Sequence, residues 1–492
     1  MSLVPDWLAH RAAATPARAA VRLGERRWTF AELDRAVSAL AAWLQSEGVR
    51  QGSSVGLLAW NSLAAAVAIH AVPRAGGVLV PLNARLTADD LAWQLRDSGA
   101  SLLLFDDANA ALGEAAARTA GVLARRLPDL DALHEAAFPP PRFRLDAPHS
   151  IVYTSGTTGR PKGVVLTFAN HLWSAVGSAF NLGLIGDDVW LACLPFFHVG
   201  GLSILLRGVL YGIEVSIHEG FDAGRVNRDI DEGGATIVSV VATMLRRLLD
   251  ARCDAPYPPS LRCILVGGGP VPRDLLERCA RMGAPVVQTY GLTEAASQVC
   301  TLPPEDALRK LGSAGKPIFP TEVRVVDEAG EPCAPGEPGE IWVRGPTVMA
   351  GYHRQPEATA EKLRGEWLAT GDVGYLDDEG YLYVLDRRED LIVTGGENVA
   401  PAEIERVLCE HPAVAGAAAV GLPDPEWGQR VAAAVELRPG AEVSPQELLE
   451  LCRHRLAGYK LPREIRIVAE LPKTASGKVV RRLVREQWLS AP

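Results

Sequence analysis

The chain has 492 residues, more than one hydrophobic core usually supports, so two or three domains are expected. Its 48% apolar and 22% charged residues are ordinary globular values, and a net charge of −9 excludes a general nucleic-acid binder while leaving local basic patches open. The eight cysteines (193, 253, 263, 279, 300, 333, 409, 452) form no Cys-x-x-Cys pair, which argues against a disulfide framework or zinc site and for a reducing cytosol.

The N-terminus, Met-Ser-Leu-Val-Pro-Asp, lacks the basic–apolar–small pattern of a signal peptide. In chain order, Phe30–Glu47 reads as a helix. Apolar runs at Val55–Trp60, Val78–Leu82 and Ser101–Phe105 read as buried strands. Between them Ser62–Ala75 and Ala88–Ser98 read as helices, the second entered from Thr87 as its cap. The longest apolar run, Leu63–Val72, is broken by His70 and stops at Pro73, too short to span a bilayer, so a cytoplasmic protein without membrane insertion is expected. The alanine-rich Ala108–Arg126 predicts a surface helix with a weak core face.

Strands resume at Val189–Leu194, Glu214–His218, Thr236–Val241, Cys263–Val266 and Val286–Thr289. Such alternation predicts an α/β fold with largely parallel sheets. After residue 320 the texture changes to short strands with glycine turns: Glu322–Val326, Glu340–Arg344 and Tyr381–Leu385. This predicts a small β-barrel-like part beside the layered α/β subdomains of a large N-terminal domain, residues 1–386. Downstream, Pro401 stands at a first-turn position of a helix that places Ile404, Val407 and Leu408 on one face. Strands Gly416–Val420, Val431–Leu437 and Glu464–Val468 and helix Pro445–Leu456 complete a small α+β C-terminal domain, residues 387–492, of about 105 residues. The charged join, Asp386–Asp390, has the composition of a solvated hinge.

Residues 153–164, Tyr-Thr-Ser-Gly-Thr-Thr-Gly-Arg-Pro-Lys-Gly-Val, are the most informative stretch. Ile151 and Val152 lead in as a strand; hydroxyls and glycines then alternate through Gly159, and Lys162 stands just beyond. Glycine lets the main chain approach an anion closely, hydroxyls and N–H groups donate to it, and the lysine adds a point charge for terminal phosphates. The spacing excludes a Walker loop, which ends in Gly-Lys-Ser/Thr. A second cluster, Gly267-Gly268-Gly269 after Cys263–Val266, is no dinucleotide fingerprint, because Pro272 occupies the third glycine's place.

The loop resembles the signature of the adenylate-forming superfamily: acyl-CoA synthetases, amino-acid adenylation domains and luciferases. The family's other motifs recur in order: Leu194-Pro195-Phe196-Phe197-His198, Tyr290-Gly291-Leu292-Thr293-Glu294, Thr370-Gly371-Asp372, Asp386-Arg387-Arg388-Glu389-Asp390 and Pro472-Lys473-Thr474-Ala475-Ser476-Gly477-Lys478. The resemblance implies two half-reactions, an acyl-adenylate made from ATP with release of pyrophosphate, then transfer to CoA. It implies that Thr154, Ser155, Gly156, Thr157, Thr158, Gly159 and Lys162 cradle the β- and γ-phosphates. Glu294 is the implied Mg²⁺ ligand, since a hard cation bridging phosphates takes carboxylate oxygen. Thr293 would donate to the α-phosphate, while Gly268, Gly269 and Tyr290 would pack on adenine.

Asp372 would accept both ribose hydroxyls, as paired oxygens suit a vicinal diol; by itself a Gly-Asp pair is merely a turn. Arg387 is the implied second ribose or phosphate contact. Lys478 would stabilise charge between carboxylate and α-phosphate, and His198 would gate the acyl site. The resemblance also implies a mobile C-terminal lid that withdraws Lys478 and brings Gly395-Gly396-Glu397-Asn398 to a pantetheine tunnel. The family's hinge position is commonly Asp or Lys; this chain has Glu389.

No aspartate occurs between Leu194 and Ser203, where amino-acid-activating members carry one, and a carrier-protein domain is missing. Several stretches resemble the o-succinylbenzoate–CoA ligase family of menaquinone biosynthesis: residues 197–205, residues 293–298, residues 311–317 and residues 383–388. That acid has two carboxylates and a ketone, so its pocket needs polar donors besides apolar walls. Ser203, Arg207, Ser297 and Gln298 are the candidates, Ser203 and Arg207 sharing a face if that stretch is helical; equally, Arg207 could reach solvent. The alternatives are a benzoate-like or medium-chain fatty acid–CoA ligase, a luciferase-type oxygenase, or a catalytically silent binding protein of the same fold. The expected partners are the acid, ATP and CoA; whether copies of the chain associate stays open.

Overall fold

The computed structural model describes residues 3–133, 138–154, 160–253, 255–269, 271, 273–327, 329–386, 392–399, 401–472, 479 and 481–490. The chain divides into two compact units. The first holds residues 1–84, 88–153 and 163–385; the second holds residues 386–492 with the short segments 85–87 and 154–162.

In the first unit, helix Phe30–Ser46 shows how local sequence sets the elements. Thr29 Oγ1 accepts from Glu32 N, and Glu32 Oε2 accepts from Thr29 N at 2.7 Å, closing a capping box. Phe30, Leu33, Val37, Leu40, Ala41 and Leu44 then recur at helical spacing and are buried. Helix Leu63–Arg74 is likewise capped by Ser62, whose hydroxyl accepts from Ala65 N. A seven-stranded sheet runs in the order Gly351–Tyr352, Lys162–Thr167, Pro148–Thr154, Val78–Pro81, Ser54–Leu58, Ala100–Phe105, Leu123–Arg126, parallel across its last four strands. A larger sheet places Val286–Leu292, Cys263–Gly267, Ile237–Val241, Val189–Ala192, Glu214–Ile217 and Ala19–Leu23 side by side, all parallel. Antiparallel strands Ser297–Leu302, Ser313–Pro317, Leu382–Asp386, Trp367–Leu376, Gly339–Arg344 and Glu322–Val326 extend it.

The stretch Ala108–Arg126 departs from the expected single helix. After a 3-10 turn at Asp107–Asn109 the helix covers only Ala110–Ala120. Gly121 adopts φ 71° and ends it, its N–H turning back to the carbonyls of Ala117 and Arg118. Leu123–Arg126 then pairs in parallel with Ala100–Phe105, so edge pairing outweighs the helical preference of the preceding alanines.

The second unit carries a five-stranded sheet with Gly428–Leu437 hydrogen-bonded to Val414–Asp424 antiparallel and to Glu464–Val468 in parallel. Helix Pro401–Cys409 buries Ile404, Val407 and Leu408 against Leu448 and Cys452 of helix Pro445–Arg455, the face expected from their spacing. Among the described residues, no helix is long and apolar enough to cross a membrane.

Two histidines lie in the core of the first unit. His149 and His171 are 2% and 3% exposed, with ring centroids 4.6 Å apart, and His149 Nδ1 has no hydrogen-bond partner among the described residues. Burial holds both below the usual imidazole range, His171 at about 3. An unfolded chain takes up protons near pH 6.5 that the folded protein refuses, so stability is full above that pH and is lost as pH falls. Urea unfolding at pH 7 and pH 5 should therefore show a loss of about 4 kcal/mol from the pair, about 1.4 kcal/mol per pH unit for each ring below pH 6.5. His149→Phe, which suits the neighbouring Trp7 and Phe168 rings, should remove about half of that slope. An unchanged slope would place the titration elsewhere.

Candidate active site

His198, Gly268, Gly269, Tyr290 and Glu294 lie at or past the C-terminal ends of parallel strands, where α/β sheets bind ligands. Strand Cys263–Gly267 runs into Gly268, at φ 85°, and Gly269, beside which there is open space. A Cβ on Gly268 would stand 3.2 Å from Val241 Cγ1, so a side chain there would crowd the end of the adjacent strand.

Strand Val286–Leu292 delivers Tyr290 and then a 3-10 turn, Thr293–Ala295. Tyr290 is buried, and its hydroxyl donates to Asp372 Oδ2 at 2.5 Å. The second carboxylate oxygen, Asp372 Oδ1, is buried with no partner among the described residues. Asp372 is not in a turn: it sits within strand Trp367–Leu376, its N–H donating to Thr370 Oγ1 at 3.0 Å. Gly371 takes φ 82° there and donates its N–H to Glu340 Oε1 at 3.0 Å, which twists the strand locally and aims the carboxylate. One oxygen tied to a tyrosine and one orphaned in a buried place make an acceptor for hydroxyls not belonging to the protein.

Glu294 is only 2% exposed, so its carboxylate is withdrawn from bulk water. Tyr352 OH donates to its Oε1 at 3.0 Å, and Met349 N donates to its backbone carbonyl at 2.8 Å. Gly291 is required just before: a Cβ there would lie 1.7 Å from Ser297 O. The chain then turns back through Ala296 at φ 52° and Ser297 at φ 104°, conformations that side-chain-bearing residues rarely adopt and that concentrate at functional sites. Among the described residues no three metal-ligating side chains converge. A buried single carboxylate fits Mg²⁺, which takes one or two carboxylates and completes its shell with water and substrate phosphate oxygens.

The phosphate loop is anchored at both ends. Thr154 closes strand Pro148–Thr154 and Lys162 opens strand Lys162–Thr167, with Thr154 Oγ1 3.5 Å from Lys162 O. Gly163 is demanded by packing, since a Cβ would meet Ile151 Cγ2 at 2.7 Å. Ser155, Gly156, Thr157, Thr158 and Gly159 lie outside the described residues, as do Arg387, Glu389 and Lys478.

His198 directly precedes helix Val199–Tyr211 without its side chain capping it, and its ring packs edge-on against Phe197 at 4.8 Å. The helix puts Ser203 and Arg207 on one face, as their spacing requires. Ser203 Oγ donates to Gly200 O at 3.1 Å. Arg207 does not reach solvent: it is 2% exposed, with its guanidinium over the Trp190 ring at 5.6 Å. Arg207 Nη2 donates to Ser174 Oγ at 3.1 Å, Ser174 Oγ donates to Ala296 O at 2.6 Å, and Arg207 Nε has no partner among the described residues. None of the described ion pairs includes it, and burial pulls its pKa below the ordinary guanidinium value. Gln298, two residues past Ala296, is 2% exposed with both amide atoms unpartnered among the described residues, and Ser297 is half-buried. The cation and Ser174 are thus tied to the main chain at Ala296, two residues before the buried Gln298.

In the second unit, Gly395 and Gly396 form the turn between strands Ile392–Thr394 and Glu397–Val399, at φ 56° and 85°. A Cβ on Gly395 would meet the Trp427 ring at 2.7 Å, so packing alone accounts for that glycine. Ser174 and Tyr352 escaped the sequence reading: each is a single polar residue whose partner lies 122 or 58 positions away, and no local spacing marks it.

A model of the AMP-binding enzyme family matches residues 8–353, and one of the AMP-binding enzyme C-terminal domain matches residues 403–478. A 2-succinylbenzoate–CoA ligase of Geobacillus sp. is 47% identical over 485 residues, 98% of this chain and 97% of the relative. A double mutant of o-succinylbenzoate CoA synthetase from Bacillus subtilis, solved with a product analogue, superposes with a TM-score of 0.93 at 42% identity, covering 99% of both chains. The same synthetase solved with ATP and magnesium gives 0.77 at 42% identity, covering 98% of this chain and 99% of that one.

Proposed function

The chain belongs to the AMP-binding enzyme family, and we infer that it is an ATP-dependent 2-succinylbenzoate–CoA ligase serving menaquinone biosynthesis. In the first half-reaction a carboxylate oxygen of the acid attacks the α-phosphorus of ATP, and pyrophosphate leaves with the electrons of the broken P–O bond. In the second, the CoA sulfur attacks the acyl carbonyl carbon and AMP leaves. Both partners of the first step are anions, so the site must neutralise charge and hold the attack in line.

Asp372 takes the ribose hydroxyls on its open oxygen, with Tyr290 tied to the other and placed against adenine. Glu294 holds Mg²⁺, which neutralises phosphate charge when bound. Thr154 through Gly159, with Lys162, receive the β- and γ-phosphates, and Thr293 the α-phosphate. Arg387 is a further nucleotide contact, Lys478 stabilises the developing charge, and His198 guards the acyl site. Residues 387–492 act as a lid with its hinge near Glu389, serving the first step through Lys478 and the second through Gly395 and Gly396. Because ATP and CoA are its co-substrates, we place the reaction in the cytoplasm.

The single observation that carries the choice of acid is Arg207. A buried guanidinium whose described partners include no carboxylate, joined through Ser174 and Ala296 to the strand bearing unpartnered Gln298, calls for an anionic ligand. A monocarboxylic acid consumes its only carboxylate in the reaction; a dicarboxylic acyl substrate has one to spare. The test compares CoA-thioester formation with o-succinylbenzoate, benzoate and octanoate. We expect o-succinylbenzoate to lead in kcat/KM by about 100-fold or more, as one buried charge pair warrants. Preference for benzoate or octanoate would overturn the assigned acid, and absence of acid-dependent pyrophosphate exchange into ATP would overturn the ligase itself.

A further inference from the structure

Trp60 and Asn61 belong to neither the nucleotide nor the acyl residues above, yet they hold the turn that carries His198. They follow strand Ser54–Leu58 of the seven-stranded sheet, whereas the turn 194–198 follows strand Val189–Ala192 of the larger one. Asn61 is 3% exposed. Its amide nitrogen donates to Leu194 O at 2.9 Å and His218 O at 3.1 Å, and its side-chain oxygen accepts from Phe196 N at 3.0 Å. One side chain thereby satisfies three main-chain groups from two strand ends of another sheet, groups that would be costly to bury unpaired.

Trp60 adds a second point of attachment. Its ring meets Phe197 edge-on at 6.1 Å, and Phe197 in turn meets His198 at 4.8 Å. The Trp60 N–H donates to Asp106 Oδ2 at 2.8 Å, which fixes the backbone from which the indole projects. On the far side, His198 N donates to Pro195 O at 3.2 Å, and a Cβ on Gly201 would stand 2.2 Å from the same oxygen. The helix therefore begins directly against the turn, and a displaced turn carries His198, Ser203 and Arg207 with it.

We infer that Trp60 and Asn61 form a positioning clamp, acting through Phe196 and Phe197, that sets His198 and the acyl-binding helix in register with the nucleotide-bearing strands. The inference rests on the acid–CoA ligase reading. Its kinetic mark is asymmetric: the groups that move with the turn face the acid, while Tyr290 and Asp372 stand on other strands and Glu294 in the 3-10 turn after one of them.

The full-length protein is tested as Asn61→Asp and Trp60→Leu, by pyrophosphate exchange with o-succinylbenzoate and ATP varied separately. Aspartate keeps the acceptor for Phe196 N but turns an oxygen toward two carbonyl oxygens; leucine removes the ring contact with Phe197 and leaves the main-chain N–H on Asp106 in place. For Asn61→Asp the expected result is about a tenfold or greater loss in kcat/KM for the acid, since sub-ångström misplacement already costs heavily. Trp60→Leu should lose about three- to tenfold. In both, KM for ATP should stay within about twofold, because the nucleotide residues are untouched. Unchanged acid kinetics in both variants, or KM for ATP rising in step with KM for the acid, would overturn the clamp. Should Asn61→Asp show no cooperative unfolding, Trp60→Leu decides alone: unaltered acid kinetics there overturn it. Loss of acid-dependent exchange in the unmodified protein, by contrast, would reject the ligase reading and not the clamp.

Discussion

Asp372→Ala should lower kcat/KM for ATP by about 100- to 10,000-fold, the consequence of losing two hydrogen bonds to a charged acceptor at about 1.5–3 kcal/mol each. The carboxylate is 4% exposed, with one oxygen on Tyr290 OH and the other without a partner among the described residues. Removing it withdraws the proposed ribose acceptor together with the carboxylate to which the tyrosine hydroxyl donates. The measurement that isolates the first effect is discrimination against 2′-deoxy-ATP and 3′-deoxy-ATP. The unmodified enzyme should disfavour each analogue by about 10- to 100-fold, as one hydrogen bond to a charged group implies, whereas Asp372→Ala should treat both much like ATP. Asp372→Asn, which keeps an acceptor for Tyr290 but loses the charge, should fall between. Equal discrimination by variant and unmodified enzyme would remove Asp372 from the ribose.

What the sequence made legible follows from the range over which each feature is encoded. Helix Ala88–Ser98 and strand Glu322–Val326 are written in local sequence, the one in apolar residues at helical spacing and the other in a short valine-rich run, so both are bounded as found. Strand Val286–Leu292 extends three residues beyond its apolar core, because pairing with Ser297–Leu302 continues past the point where hydrophobicity marks it. Ala108–Arg126 failed for the same reason: Leu123–Arg126 is a strand only because an edge is there to receive it. Motif residues such as Asp372 and Glu294 were legible by type, but their environments were not. That Tyr290 holds Asp372 and Tyr352 holds Glu294 depends on contacts across 82 and 58 positions. Asn61, adjacent to a helix cap, reads locally as part of that cap; only the folded chain brings it to Phe196, 135 positions away.

Arg207 is where sequence left two outcomes open and burial separates them, and its replacement should change which acid the enzyme prefers. Arg207→Met keeps the length of the side chain and its packing on Trp190 while removing the charge. If the guanidinium receives the second carboxylate of o-succinylbenzoate, the variant loses a buried charge-assisted contact of about 3–5 kcal/mol, or about 100- to 1,000-fold and more in kcat/KM for that acid. Benzoate, which has no second carboxylate, should be affected by less than about threefold, and KM for ATP should not move. Stability gives an independent reading of the same charge. In the free enzyme the guanidinium is desolvated and bonded only to Ser174 among its described contacts, so its replacement by methionine should be neutral or stabilising rather than costly. o-Succinylbenzoate should then raise the thermal midpoint of the unmodified enzyme and not that of the variant, since a ligand stabilises only to the extent that it binds the folded state. Gln298→Leu, removing an unpartnered buried amide on the neighbouring strand, should move the acid kinetics in the same direction by about 10-fold, the scale of one neutral hydrogen bond left unmade. A variant that is destabilised, yet keeps its preference for o-succinylbenzoate over benzoate, would show that Arg207 braces the helix against Ser174 and has no part in choosing the acid.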